Sequence, residues 1–215
     1  MGQTSKSQAL VTSSHTPELA SSARRGLRKL IEGNQRFVRG KARFPTVCKE
    51  TLADLAKGQQ PFATILGCSD SRVPPELIFD AHFGELFIVR VAGNVISPEV
   101  MGSLQYAGAH LRTPLFVVLG HEGCGAVEAA LETKITGHEH RSHIQTLVNS
   151  ILPGLPDLNS KTSRKMQMST AVEANVRWSI HQILETAEGQ NAVAAGARLV
   201  GAVYKIASGR VRFLS

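Results

Sequence analysis

Two short apolar runs, each leading directly into a cluster of metal-binding residue types, constrain this chain most. Phe62-Ala63-Thr64-Ile65-Leu66 leads into Cys68-Ser69-Asp70-Ser71-Arg72. Leu115-Phe116-Val117-Val118-Leu119 leads into His121-Glu122-Gly123-Cys124-Gly125. Neither run alternates apolar with polar, so neither suits a strand with one wet face. Continuous apolar runs of this length belong to strands covered on both faces, as in a parallel sheet between helices. Open sheets of that kind form their sites beyond the carboxyl ends of the strands, where both polar clusters fall.

The intervening sequence alternates in the same sense. Strands are expected over 62–67, 86–91, 115–119 and 197–205, with a last strand over 210–214 turned back at Ser208-Gly209. Helices are expected over 23–39, 50–58, 98–111, from beyond Cys124 to Leu131, and over 142–152 and 168–187, with a loop over 153–165. In the first helix Leu27, Leu30, Ile31, Phe37 and Val38 lie near one stripe, and Arg24, Arg25, Arg28 and Lys29 form its solvated or partner-facing side. Strands alternating with helices imply right-handed crossovers. The fold class expected is α/β: a mostly parallel central β-sheet, four parallel strands plus a C-terminal antiparallel strand, flanked by helices, with an N-terminal helical arm. Residues 1–22, polar and rich in Ser and Thr, are expected to be a flexible leader before a single domain over 23–215.

Composition removes several function classes. No apolar stretch approaches the ~20 residues that span a bilayer, so no membrane partner is expected. The net charge of +7 is scattered and aromatics are 5%, with no RNA-binding or finger motif, so nucleic acid is not expected either. A basic field favours anionic substrates modestly. Three cysteines make no disulfide framework and suit a reducing compartment such as the cytoplasm. Cys48 is read as an incidental thiol, and His138, His140 and His143 as part of a solvated loop.

Cys68, His121 and Cys124 supply two thiolates and an imidazole, the donors that Zn²⁺ prefers. Three protein ligands leave a fourth position open, as in catalytic zinc sites. His121 and Cys124 stand three apart at a turn into a helix, so both can face one ion. Two thiolates donate more charge to zinc than three imidazoles would, which makes a bound water less acidic and calls for assistance. Asp70 can accept a hydrogen bond from that water, and Arg72 can hold Asp70 through a bidentate charge-assisted pair. Gly123 and Gly125 allow close backbone approach, and the Gly125 N–H can donate to a bound anion.

These segments resemble the β-class carbonic anhydrases. The likeness runs over roughly 23–214 and includes EGNQRF, CSDSRVPPELIFD, GELFIVRVAGNV, GHEGCGAV and GAVYKI. It implies reversible hydration of CO₂ to bicarbonate and a proton by zinc-bound hydroxide, with one Zn²⁺ per subunit on Cys68, His121 and Cys124. Asp70 and Arg72 match the family's orienting dyad. Gln59 matches a substrate-donating glutamine, and Phe87 and Tyr106 match the apolar pocket wall, although residue type alone would assign both to the core. In the family these pocket residues come partly from a neighbouring subunit, so the resemblance implies a homodimer or dimer-based tetramer with shared active sites. Members regulated by non-catalytic bicarbonate carry Trp three residues before the first cysteine. Ile65 stands there instead, which implies no such switch. Glu122 occupies a position where many relatives have Ser or Thr.

Three other readings compete. The same scaffold in some relatives hydrolyses CS₂ or carbonyl sulfide. A closed structural zinc site would recruit Asp70 as a fourth ligand. A redox role for Cys68 and Cys124 lacks a Cys-x-x-Cys motif.

Overall fold

The computed structural model describes residues 16–43, 48–157 and 162–214. The elements in chain order are α1 (Thr16–Val38), α2 (Lys49–Leu55), β1 (Ala63–Gly67), α3 (Pro75–Ile78), β2 (Leu86–Arg90), α4 (Pro98–Ala109) and β3 (Leu115–His121), then α5 (Gly125–Thr136), α6 (His143–Ile151), α7 (Arg164–Leu184), α8 (Ala187–Ala194), β4 (Arg198–Lys205) and β5 (Arg210–Phe213). The five strands form one sheet in the order β2-β1-β3-β4-β5. β1 pairs in parallel with β2 and β3, β3 in parallel with β4, and β5 closes the far edge antiparallel to β4. This is the α/β architecture expected from the sequence.

Every residue of β1 and β3 is buried. Successive side chains on a strand point to opposite faces, so two cores form. Leu66 and Val118 join Val127, Leu131, Val172 and Val176 on the side of α5 and α7. Ile65, Val117 and Leu119 join Leu30, Ile78 and Phe79 on the side of α1 and α3. α1 is fastened by the buried Asn34, whose Nδ2 donates to Ile78 O at 3.2 Å and Gly209 O at 2.8 Å. Its Oδ1 accepts from Val211 N at 2.9 Å.

Helix ends follow capping chemistry. Ser97 accepts from Val100 N at the start of α4, with Pro98 at the first helical position, and Ser163 accepts from Met166 N at the start of α7. α5 ends at Gly137, whose φ of 72° is the left-handed conformation that glycine adopts freely.

Several boundaries differ from the expectation, among them the end of α5, which runs to Thr136 rather than Leu131, and the end of α2, which stops at Leu55 rather than residue 58. α1 begins at Thr16, so residues 16–22 of the expected flexible leader are helical. Glu18 favours the first turn, and Leu19 packs against the core, which outweighs the polar Ser and Thr content. Residues 1–15 of that leader lie outside the described residues. The short α3, opened by Pro75, was not anticipated. The helix expected over 168–187 starts four residues earlier, at Arg164, and stops at Leu184. A separate α8 then starts behind Thr186, whose hydroxyl accepts from Gly189 N. Residues 158–161 of the expected loop lie outside the described residues. Among the described residues, no helix is long and apolar enough to cross a membrane.

Candidate metal centre

The register of the sheet brings the two polar clusters together. Gly67 pairs with Leu119, so β1 and β3 end at adjacent levels. Cys68 immediately follows β1, His121 is the last residue of β3, and Cys124 is the N-cap of α5. The Cys68 and Cys124 sulfurs are 3.9 Å apart. One ligand atom from each of Cys68, His121 and Cys124 lies within 4.8 Å of the others, and all three residues are buried. Among the described residues this is the one group of three or more such side chains able to share an ion.

The donor set fits zinc. Two sulfurs at about 2.3 Å from a tetrahedral ion stand roughly 3.8 Å apart, close to the separation here. His121 has its Nδ1 3.0 Å from Glu122 O, a contact that fixes Nδ1 as the protonated nitrogen and leaves a lone pair on Nε2. That Nε2 is buried and has no hydrogen-bond partner. An orphaned polar atom of this kind is costly in a folded protein, and an ion would satisfy it.

The two sulfurs differ in their hold on a proton. The Cys124 thiol donates to the Cys68 sulfur, which draws Cys68 down and pushes Cys124 up, aided in the latter by burial. Burial alone would depress His121, but its attraction to the Cys68 thiolate outweighs burial and raises it. The pocket therefore stabilises a thiolate at Cys68, the form that binds metal, while Cys124 keeps its proton until an ion takes its place.

Asp70 stands beside this group, its Oδ2 3.9 Å from His121 Nε2. Arg72 grips it at two points, Nε to Oδ1 at 2.9 Å and Nη2 to Oδ2 at 2.7 Å, and the Arg72 backbone N–H adds a third bond to Oδ1. These bonds hold the Asp70 carboxyl well below the usual carboxylate range. Arg72 also reaches towards Gly123 O at 3.5 Å, linking the two clusters. Gly125 opens α5 beside Cys124 and is exposed, with open space where a side chain would be.

Sequence reasoning passed over two groups here. Arg90 ends β2 and donates from Nε to Cys68 O at 2.9 Å and from Nη2 to Asp70 O at 2.6 Å, so it holds the backbone of the Cys68–Asp70 segment. A lone charge closing the apolar run Leu86–Val89 was the available signal. Gly93 donates its N–H to the Cys68 sulfur at 3.4 Å.

The remaining expected residues lie elsewhere in the chain. Phe87 is paired with Thr64, four residues or ~13 Å of strand before Cys68. Its ring is 6.2 Å from that of Tyr106, which is 46% exposed and itself 5.0 Å from the ring of His110. Gln59 lies in an 830 Å³ surface pocket with Arg25, Lys29 and Arg112 at the opposite end of β1 from Cys68. Gln59 is therefore remote from Cys68, His121 and Cys124 of its own chain.

Comparison with known proteins agrees with this geometry. A family model described as carbonic anhydrase matches residues 63–211. The carbonic anhydrase of Mycolicibacterium smegmatis is 37% identical over 186 residues, covering 86% of this chain and 90% of that protein. The crystal structure of the β-carbonic anhydrase CafA from Aspergillus fumigatus superposes with a TM-score of 0.68 at 29% identity, covering 77% of this chain and 81% of that one. One of two tetrameric β-carbonic anhydrases from Sordaria macrospora shares the fold, with a TM-score of 0.70 at 24% identity over 89% and 98% of the two chains. The chain belongs to the β-carbonic anhydrase family of enzymes, whose general reaction is the hydration of CO₂.

Proposed function

We propose that this chain hydrates CO₂ reversibly to bicarbonate and a proton, with one Zn²⁺ per subunit held by Cys68, His121 and Cys124. The observation that carries the reading is the unpartnered Nε2 of buried His121, turned to two sulfurs and flanked by the Asp70–Arg72 pair. A zinc ion held there would supply a nucleophile by making a bound water more acidic, less so than with three imidazole ligands, which is where Asp70 would assist. Asp70, kept ionised by Arg72, is an acceptor only. It takes a hydrogen bond from the reacting water, which turns a lone pair towards CO₂. Arg72 keeps that carboxylate oriented and away from the ligand position. The Gly125 N–H at the start of α5 favours the anionic product.

Gln59, Phe87 and Tyr106 act in a second subunit's site. Phe87 and Tyr106 lie together at the uncovered β2 edge, and Gln59 is too far from its own ligands to serve them. A homodimer formed there completes two pockets, and pairs of dimers give a tetramer, the state described for the Sordaria relatives. With Ile65 three residues before Cys68, bicarbonate does not drive Asp70 onto the metal. The reducing cytoplasm suits two metal-binding thiolates. Stopped-flow hydration assays on CO₂, run beside CS₂ and carbonyl sulfide hydrolysis, test the reading. Rapid turnover of CO₂ is expected; turnover of the sulfur compounds alone would overturn it.

A further inference from the structure

We propose that Asn175 on α7 is a positioning residue for the metal centre, setting the donor strength of the Cys68 sulfur through the 92–94 turn. The inference rests on the reading of Cys68 as a zinc ligand. Three observations converge on it.

First, the Cys68 sulfur accepts the Gly93 N–H at 3.4 Å. An N–H directed at a thiolate stabilises the charged, metal-binding form, so its loss costs metal affinity, and it withdraws electron density from the sulfur, so its loss also moves the sulfur-to-metal charge-transfer energy. Second, the turn that presents this N–H is unusual. Gly93 has φ 69° and Asn94 φ 44°, both left-handed. A Cβ on Gly93 would stand 2.9 Å from Ile151 Cδ1 and 3.1 Å from Ala126 Cβ, so both space and backbone demand glycine. Such a turn persists only where its surroundings over-determine it.

Third, the restraint comes from one face of α7, eighty residues away in sequence. Asn175 and Ser179, one helical turn apart, are each 1% exposed. Asn175 Nδ2 donates to Gly93 O at 2.7 Å. The Ser179 hydroxyl donates to Asn94 O at 2.9 Å. Two successive carbonyls are thereby fixed, on the two peptide planes that follow Gly93, and the left-handed backbone of Gly93 relates those planes to its N–H. Asn175 Oδ1 is buried without a partner. An apolar residue of similar volume would avoid that penalty, so the amide is retained for what its Nδ2 holds. Among residues that orient ligands indirectly, removal typically costs about 10–100-fold in metal affinity or activity.

The test replaces zinc with Co²⁺ and records the sulfur-to-cobalt charge-transfer band, alongside zinc affinity by chelator competition. Asn175→Ala and the milder Ser179→Ala are compared with Asn34→Ala, which removes another buried clamp, remote from the metal. The proposal predicts a moved band and zinc held about tenfold more weakly in Asn175→Ala, a smaller movement in Ser179→Ala, and an unmoved band in Asn34→Ala. If Asn175→Ala does not fold, Ser179→Ala decides by the same band. An unmoved band with wild-type zinc affinity in the folded variants overturns the proposal. Wild-type protein that gives no charge-transfer band overturns instead the underlying metal-centre reading.

Discussion

Two aspartates ten residues apart are both held by arginine, and they do different work. Asp80 has a side chain only 2% exposed and takes Arg36 Nε, Arg43 Nε and the Arg43 backbone N–H on its carboxylate. Its φ of 47° is left-handed, which Asp tolerates better than most residues. Those arginines come from 37 and 44 residues earlier, so the cluster staples the end of α1 and the segment after it to the end of α3. Asp70 is 18% exposed, and its arginine comes from two residues on in the same loop. The pair itself joins near neighbours, and beyond it Arg72 makes the long 3.5 Å approach to Gly123 O. It orients one carboxylate beside the unpartnered nitrogen of His121. Where an ion pair joins distant segments its loss costs the fold; where it joins neighbours at an open pocket its loss costs chemistry.

The sharpest break in that comparison is Asp70→Asn. The account predicts at least about a hundredfold loss of CO₂ hydration, the scale of a positioned proton acceptor, with zinc content and thermal midpoint unchanged. Unchanged turnover in stopped flow would reduce Asp70 to a loop-stabilising ion pair. Asp80→Asn is expected to do the reverse. It should lose about 2 kcal/mol in urea unfolding, less than a fully buried pair because both arginines are partly solvated, while turnover per folded molecule stays near wild type. Wild-type stability in that variant would remove the contrast.

Arg72→Lys keeps the charge and loses the two-point grip. Roughly tenfold slower hydration is expected, measured at fixed zinc occupancy. Equal rates would mean that charge alone suffices.

The smallest effect is in acid. Burial would raise the Asp80 carboxyl, but Arg36 and Arg43 outweigh burial and hold it below its ordinary value. A depressed carboxylate contributes stability that is present above its unfolded value of about 3.9 and is lost as pH falls from there through the folded value. Wild type should therefore lose stability below about pH 4 more steeply than Asp80→Asn. Parallel slopes would contradict the assignment.

The same contrast explains what the sequence made legible. The Asp70–Arg72 pair, Cys68, and the His121–Cys124 spacing are local patterns, each hung on an apolar strand whose period and length are visible. The five strands are visible in the sequence, but their order in the sheet is seen only in the fold. Arg43 with Asp80, Asn34 with Gly209, and Asn175 with Gly93 join segments that only the folded sheet brings together, so no local signal announces them. The early start of α1 escaped notice because its first turns are polar and are stabilised by tertiary packing of Leu19. The split between α7 and α8 rests on a single cap at Thr186, a weak signal inside an otherwise helical stretch. Gln59, Phe87 and Tyr106 were legible as residues of interest only by likeness, since their proposed work lies in a second copy of the chain.

The most direct test of the central claim is a zinc titration into chelated protein, following CO₂ hydration by stopped flow and bound metal in the same samples. The account predicts that activity is absent without metal, rises in proportion to bound zinc and saturates at one ion per chain. Hydration by the metal-free protein, or full occupancy without hydration, would contradict it.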